Sequence, residues 1–262
     1  MGARRFRVLR DGPGDAAWNM SVDEALLLEA ATAGPVLRLY TWRMPALSLG
    51  YRQTPPAWLG RCESLGIDVV RRVTGGGAVL HARDLTYAVI APPGTPDLPD
   101  DLAGSYAWIR ARLLEGLNAA GLAARAARAR ANAARLDLCF AGATGFEVEL
   151  DGQKLIGSAQ RRTPAGLLQH GSIRLADDSA LYRALCGSAP AAAPPAGLDA
   201  DALRTALVTS FAAALGGQLE PATLSAAELE HVAARMAQRR QDRLAAPALS
   251  LRRSVEAADR VA

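Results

Sequence analysis

Hydrophobic and polar positions along the chain change period several times, and each change marks an element. "RFRVLRD" alternates as an edge strand does. "AWNMSVDEALLLEAA" then has apolar residues at helical spacing from Trp18 through Leu28. "VLRLYTW" and "ALSLGY" read as two strands joined by a turn around Pro45, and "PAWLGRCESLG" as a short helix opened by proline and closed by Gly66. "IDVVRRV", "GAVLHA" and "LTYAVIAP" are three strands in quick succession, with "TGGG" between the first two and the Pro/Asp loop "PPGTPDLPDD" after the third. "SYAWIRARLLEGLNAAG" predicts a helix ended by Gly121. "GFEVELDGQKLIGSAQRR" predicts a hairpin, because "DG" between alternating runs is a strong turn signal. "GLLQHGSIRL" is a further strand, followed by a short helix near Leu181 and the Pro/Ala linker "SAPAAAPPAG". Helices over about residues 201–215 and 226–244 complete the pattern.

There is no internal repeat. Strands cluster in the middle and helices at the periphery, which predicts an α+β fold of mixed β-sheets flanked by helices rather than a doubly wound parallel fold. With 262 residues the expectation is one catalytic domain, its core about residues 5–190, with a helical extension about 198–246.

Composition narrows this picture only a little. The formal charge of +4 would draw an acidic partner at range, but no arginine run is interleaved with aromatics, so nucleic acid is not argued. Cys62, Cys139 and Cys186 lie far apart with no CxxC pairing. That speaks against a disulfide framework or a zinc site and for a reducing cytoplasm. The basic N-terminus has no apolar region behind it to make a signal peptide, and no apolar run reaches the length of a membrane span.

Four features could carry chemistry. In "RRVTGGGAVLH", residues 71–81, three glycines between strands suit a backbone that approaches a ligand or takes positive φ, with N–H groups able to cradle an anion or a carbonyl. Neither a P-loop nor a dinucleotide fingerprint follows from it; a plain turn remains open, although Arg71, Arg72 and His81 flank it. Lys154 is the one lysine in a chain whose lysines and arginines total 30. Beside a hairpin turn it could be an ordinary exposed lysine; buried and aimed at an acyl oxygen, its compact charge would stabilise developing negative charge. Cys139 sits in a predicted loop ahead of that hairpin, either a small buried hydrophobe or, near a cation, a nucleophile. Cys62 and Cys186 fall in helical patterns and read as packing residues. His81 and His170 read as satisfied strand histidines with a possible loop-supporting or proton-handling role, and His231 as exposed; no metal-ligand spacing is present.

Taken in order, "NMSVDEALL", "LRLYTWRMPALSLGYRQ", "RRVTGGGAVLH" and "DGQKLIGSAQRRTPAGLLQHGSI" resemble the lipoate–protein ligase and octanoyltransferase superfamily, whose catalytic fold biotin protein ligases share. The resemblance spans roughly residues 19–175 and is closest to the cysteine-dependent octanoyltransferases of Gram-positive type. It implies octanoyl transfer from acyl carrier protein to a lysine of a lipoyl domain, such as that of the glycine cleavage H protein or a 2-oxoacid dehydrogenase E2 subunit. In that reading Cys139 holds the acyl group as a thioester and Lys154 stabilises the oxyanion. Arg71, Arg72, Thr74, Gly75, Gly76, Gly77, His81, Gly157, Ser158 and His170 would line the substrate site, with no cofactor and no metal. The chain also ends without the additional C-terminal domain of many bacterial ligases. Gly77, where those octanoyltransferases often carry arginine, keeps an ATP-dependent lipoate ligase with Mg as the alternative. A non-catalytic lipoyl-domain-binding protein is a third reading.

Overall fold

The computed structural model describes residues 5–127, 147–189, 198–217 and 219–245. Strand β1 (Phe6–Gly14) leads into helix α1 (Ala16–Leu28) and the single turn α2 (Ala30–Ala33). Strands β2 (Val36–Trp42) and β3 (Ala46–Leu49) follow, then a 3-10 turn (Ala57–Gly60) running into α3 (Arg61–Ser64). Strands β4 (Asp68–Arg71), β5 (Val79–His81) and β6 (Asp84–Ala91) precede helix α4 (Leu102–Ala119). Next come β7 (Arg125–Ala126), β8 (Val148–Leu150), β9 (Gln153–Thr163), β10 (Gly166–Arg174) and α5 (Ser179–Cys186). Helix α6 (Ala200–Ala214), strand β11 (Leu219–Pro221) and helix α7 (Ala226–Ala245) complete the described elements. Most of the Pro/Ala linker expected after α5 lies outside the described residues.

One mixed sheet runs in the order β11-β1-β2-β6-β10-β9-β8-β7, and a second, smaller sheet in the order β4-β3-β5. The expected α+β architecture holds. The strand expected at an edge does not: β1 is flanked by β2 on one side and by β11 on the other, both parallel to it. The run "QLEP" is too short to show a period, so β11 is invisible in the sequence, and it is β11 that occupies the edge. Strands β6 and β10 are buried at every position, which their near-continuous apolar runs reflect.

Alternation along the central strands separates two cores. Leu37 and Leu39 of β2, Tyr87 and Val89 of β6 and Ile173 of β10 pack with Ile109 and Leu113 of α4 and Leu207 and Phe211 of α6. The other face puts Tyr40, Ala88, Ile90 and Leu168 against Met20, Val22 and Leu26 of α1, with Val232 of α7 behind them. The small sheet has its own cluster, in which Leu47, Leu49 and Leu80 meet Tyr182 and Leu185 of α5. Among the described residues no helix is long and apolar enough to cross a membrane.

The "DG" turn forms as expected. Asp151 and Gly152 take φ of 51° and 74°, the left-handed pair that a two-residue hairpin turn requires. The hairpin is irregular, however. Glu149 pairs with Lys154 but Val148 with Ile156, so Leu155 is an extra residue, a β-bulge. Leu155 and Ile156 therefore both enter the α4/α6 core. Lys154, paired with Glu149 and not with core-facing Val148, falls on the opposite face, shared with Gly157 and Ala159.

Phe211 is fully buried between α4 and the sheet, with Trp108 edge-on at 5.8 Å. Phe211→Ala is expected to lower the unfolding free energy by about 3–5 kcal/mol, read as a lower denaturant midpoint at unchanged slope.

Candidate active site

A cleft opens on the α1 face of the large sheet, where the small sheet approaches it. Met20, Tyr40, Val79 and Ala159 supply its apolar wall, and Ser48, Arg72, His81 and His170 its polar one. Gly157, Ser158 and Gly171 form part of the floor. Gly171 has a steric reason: a Cβ there would come within 2.6 Å of both the Gly157 carbonyl and the Tyr87 ring. Tyr87 reaches across this notch to bond the Ser158 hydroxyl at 2.7 Å, and burial with these contacts pushes its phenol up to about 12.

Arg72 organises the cleft. It leaves β4 buried, and its guanidinium donates to the carbonyls of Gly75 and Gly77, each at 2.7 Å, and to Ser48 O at 2.7 Å. The glycine loop is thus wrapped around a cation with its carbonyls turned inward. Gly76 takes φ of 91°, and its carbonyl oxygen lies 2.0 Å from where a Cβ on Gly50 would stand. Glycine at 50 is required by its neighbour, which the sequence reading did not detect. Arg71 turns the other way, donating to the carbonyls of Gly50, Tyr51 and Gln53, and so ties the β3 exit to β4 without entering the cleft.

Two hydrogen-bond arms run from Arg72. In the first, Arg72 Nε donates to Thr74 Oγ1 at 3.2 Å, Thr74 Oγ1 meets His170 Nε2 at 2.6 Å, and His170 Nδ1 meets Asp23 Oδ2 at 2.8 Å. Asp23 also accepts from Arg38 Nη1 at 2.7 Å and the Tyr40 hydroxyl at 2.8 Å. Burial pushes the Asp23 carboxyl up, but the His170 hydrogen bond and the Arg38 charge outweigh it and hold it below the usual 3.8. The carboxylate is therefore ionised, His170 Nδ1 donates to it, and Nε2 accepts from Thr74. Burial lowers the His170 pKa below 6.5 and keeps the ring neutral. In the second arm Arg72 Nη1 reaches Ser48 Oγ at 3.3 Å, Ser48 Oγ meets His81 Nε2 at 2.9 Å, and His81 Nδ1 meets Asp84 Oδ2 at 2.9 Å. His81 also stacks on Trp42, with ring centroids 3.9 Å apart.

Lys154 does not line this cleft, but it is not the exposed hairpin lysine either. Its side chain is 8% exposed and its Nζ donates to Glu147 at 3.2 Å. The bulge at Leu155 places it on the cleft's face of the sheet, one strand end away from Gly157. Cys139 lies outside the described residues. Cys62 is buried, its thiol pushed up to about 11 by desolvation, and Cys186 donates to the Tyr182 carbonyl at 3.1 Å; both are packing residues, as expected. His231, expected to be merely exposed, bonds Glu29 at 2.9 Å and links α7 to α1. Asp23, Arg38, Ser48 and Asp84 escaped the sequence reading. Their only signal is a polar residue at a position where the period demands an apolar one.

Residues 15–231 match the family model described as the lipoyl protein ligase A/B catalytic domain, and the chain belongs to that family. Its relatives include the octanoyltransferase LipM of Kyrpidia tusciae, 37% identical over 256 residues, which cover 86% of this chain and 92% of that protein. The octanoyltransferase LipM of Carboxydothermus hydrogenoformans is 42% identical over 174 residues, 64% of this chain and 65% of that one. The structure of a putative lipoate protein ligase from T. acidophilum with bound lipoic acid has the same fold. Its TM-score is 0.75 at 21% identity, covering 90% of this chain and 96% of that one.

Two outcomes follow from this geometry. Because the folded His170 pKa lies below the unfolded one, the unfolded chain binds the extra proton first as pH falls. Stability from this site is complete above about pH 6.5 and is lost as pH falls through that value towards the folded pKa. His170→Gln is expected to flatten this limb in urea denaturation, leaving the separate loss below pH 3.8 that Asp23 contributes. Gly50→Ala drives a methyl into the Gly76 carbonyl, and is expected to leave the far α4/α6 core folded while abolishing activity.

Proposed function

We propose that the protein is an acyltransferase that moves an octanoyl group from acyl carrier protein to a lysine of a lipoyl domain. Acceptors of this kind include the glycine cleavage H protein and 2-oxoacid dehydrogenase E2 subunits, and the setting is the cytoplasm. The observation that carries this reading is the 37% identity to a protein named octanoyltransferase over 86% of this chain. Burial of the one lysine on the cleft's side of the sheet supports it.

The transfer takes two steps. The Cys139 thiolate attacks the octanoyl thioester of the carrier protein, and the carrier's thiol leaves. The lysine amine of the acceptor then attacks the octanoyl-Cys139 thioester to give an amide, which makes the second step downhill. Lys154 donates to the acyl oxygen as negative charge develops there, a task for a compact ammonium rather than a broad guanidinium fork. Arg72 and the loop of Thr74, Gly75, Gly76 and Gly77 hold the wall beside Gly157 and Ser158 in shape for the acyl group. Each methylene of the tail that leaves water contributes about 0.8 kcal/mol to binding. Carrier proteins and lipoyl domains are typically acidic, and a net charge of +4 favours the encounter.

Octanoyl-carrier protein added without ATP is expected to leave an octanoyl mass increment on Cys139, released by hydroxylamine and absent in Cys139→Ser. Full activity of Cys139→Ala with free octanoate and ATP would instead establish the ligase chemistry. Lys154→Arg, which keeps the charge, is expected to lose about 10²-fold in turnover, measured as octanoylated acceptor per unit time.

A further inference from the structure

The two arms from Arg72 look alike but differ in charge and access. Asp23 is already answered by Arg38, whose side chain is fully buried, so a proton on His170 would add a second cation to a carboxylate that has one. Thr74, which stands between His170 and Arg72, is fully buried. Asp84 is different. Its Oδ2 accepts from His81 Nδ1, from Thr86 Oγ1 at 3.0 Å and from Ser172 Oγ at 2.7 Å, and both hydroxyls are neutral. Its Oδ1 is buried with no hydrogen-bond partner among the described residues. Of the described residues that bond Asp84, only His81 can carry positive charge. A buried carboxylate without a cation is costly, and a protonated His81 would supply one. Ser48 and His81 both line the cleft. The groups around the ring are Asp84, Arg72, His170, Ser48, Ser172 and Trp42; Arg72 opposes added positive charge there and Asp84 favours it.

We propose that Ser48 and His81, backed by Asp84, accept the proton released when an amine attacks the acyl thioester in this cleft. This rests on the acyl-transfer reading above. The amine lone pair forms the C–N bond, and the carbonyl π pair moves to oxygen. An N–H proton passes to Ser48 Oγ as the Ser48 proton passes to His81 Nε2, giving an imidazolium paired with Asp84. The C–S bond then breaks, the oxyanion pair reforms the carbonyl, and the departing thiolate takes the proton back along the same path. Ser48 touches the substrate; His81 and Asp84 act through it.

The test separates loading from transfer. Parent and variants are charged with octanoyl-carrier protein, loading is counted by intact mass, and single-turnover transfer to the glycine cleavage H protein is followed between about pH 5 and 9. Transfer per loaded molecule is expected to fall about 10²-fold or more in His81→Gln. The rising limb near pH 6.5 seen in the parent should disappear with it. Ser48→Ala should behave in the same way, and added imidazole should restore transfer in His81→Gly. Transfer per loaded molecule equal to the parent's, or a parent-like limb in His81→Gln, overturns the relay. So does a loss of loading, transfer and melting temperature in one proportion, the mark of a purely structural histidine. A parent that never loads removes the acyl-transfer reading itself, and the relay with it.

Discussion

A guanidinium with no exposure sits in the middle of the eight-stranded sheet. Arg38 is tolerable there because Asp23 of α1 and Asp11 of β1 each accept from it at 2.7 Å. That ion pair sets where α1 must lie and where Asp23 must point, and the rest of the site hangs on Asp23. Through His170 it reaches Thr74, and through Thr74 it reaches Arg72 and the glycine loop. A carboxylate held ionised by a buried arginine is what keeps His170 in one tautomer. The loop is therefore positioned by a continuous line of fixed donors and acceptors, although three consecutive glycines would by themselves leave it loose.

Lysine and arginine divide the work here by shape. Arg72 spends its fork on several oxygens at once, including two carbonyls of the same loop, which only a planar, five-donor cation can manage. Lys154 has Glu147 beside it and sits on a strand bent by a bulge. The bulge matters more than the residue's place in the sequence. In a regular ladder Lys154 would point into the α4/α6 core with Ile156; one extra residue turns it to the other side.

Periodicity made most of the large elements legible, because each buries a face against a neighbour. The α1 and α4 helices, the "DG" hairpin and the fully apolar β6 follow from spacing alone. It failed where pairing, not period, makes the element. Strand β11 exists because β1 offers an edge, and β1 is interior for the same reason. The site divided similarly. Glycines and a lone lysine stand out by rarity, so the loop and Lys154 could be singled out. Asp23, Arg38, Ser48 and Asp84 are common residue types whose importance lies in facing one another across strands and a helix distant in sequence, and a one-dimensional pattern does not record that. The bulge, too, is a property of two strands at once.

Helix α7 lies along α1, and its Arg239 donates to the Arg71 carbonyl at 2.8 Å while pairing with Glu24. Arg7 of the first strand pairs with Glu228 at the start of the same helix, beside the parallel contact of β1 with β11. The backbone that begins the glycine loop is thus clamped by the last described element of the chain. During synthesis from the N-terminus, the strands and α1 emerge long before the helix that braces them. The catalytic centre is then among the last parts to set, and a nascent chain stays chemically idle until its end is made.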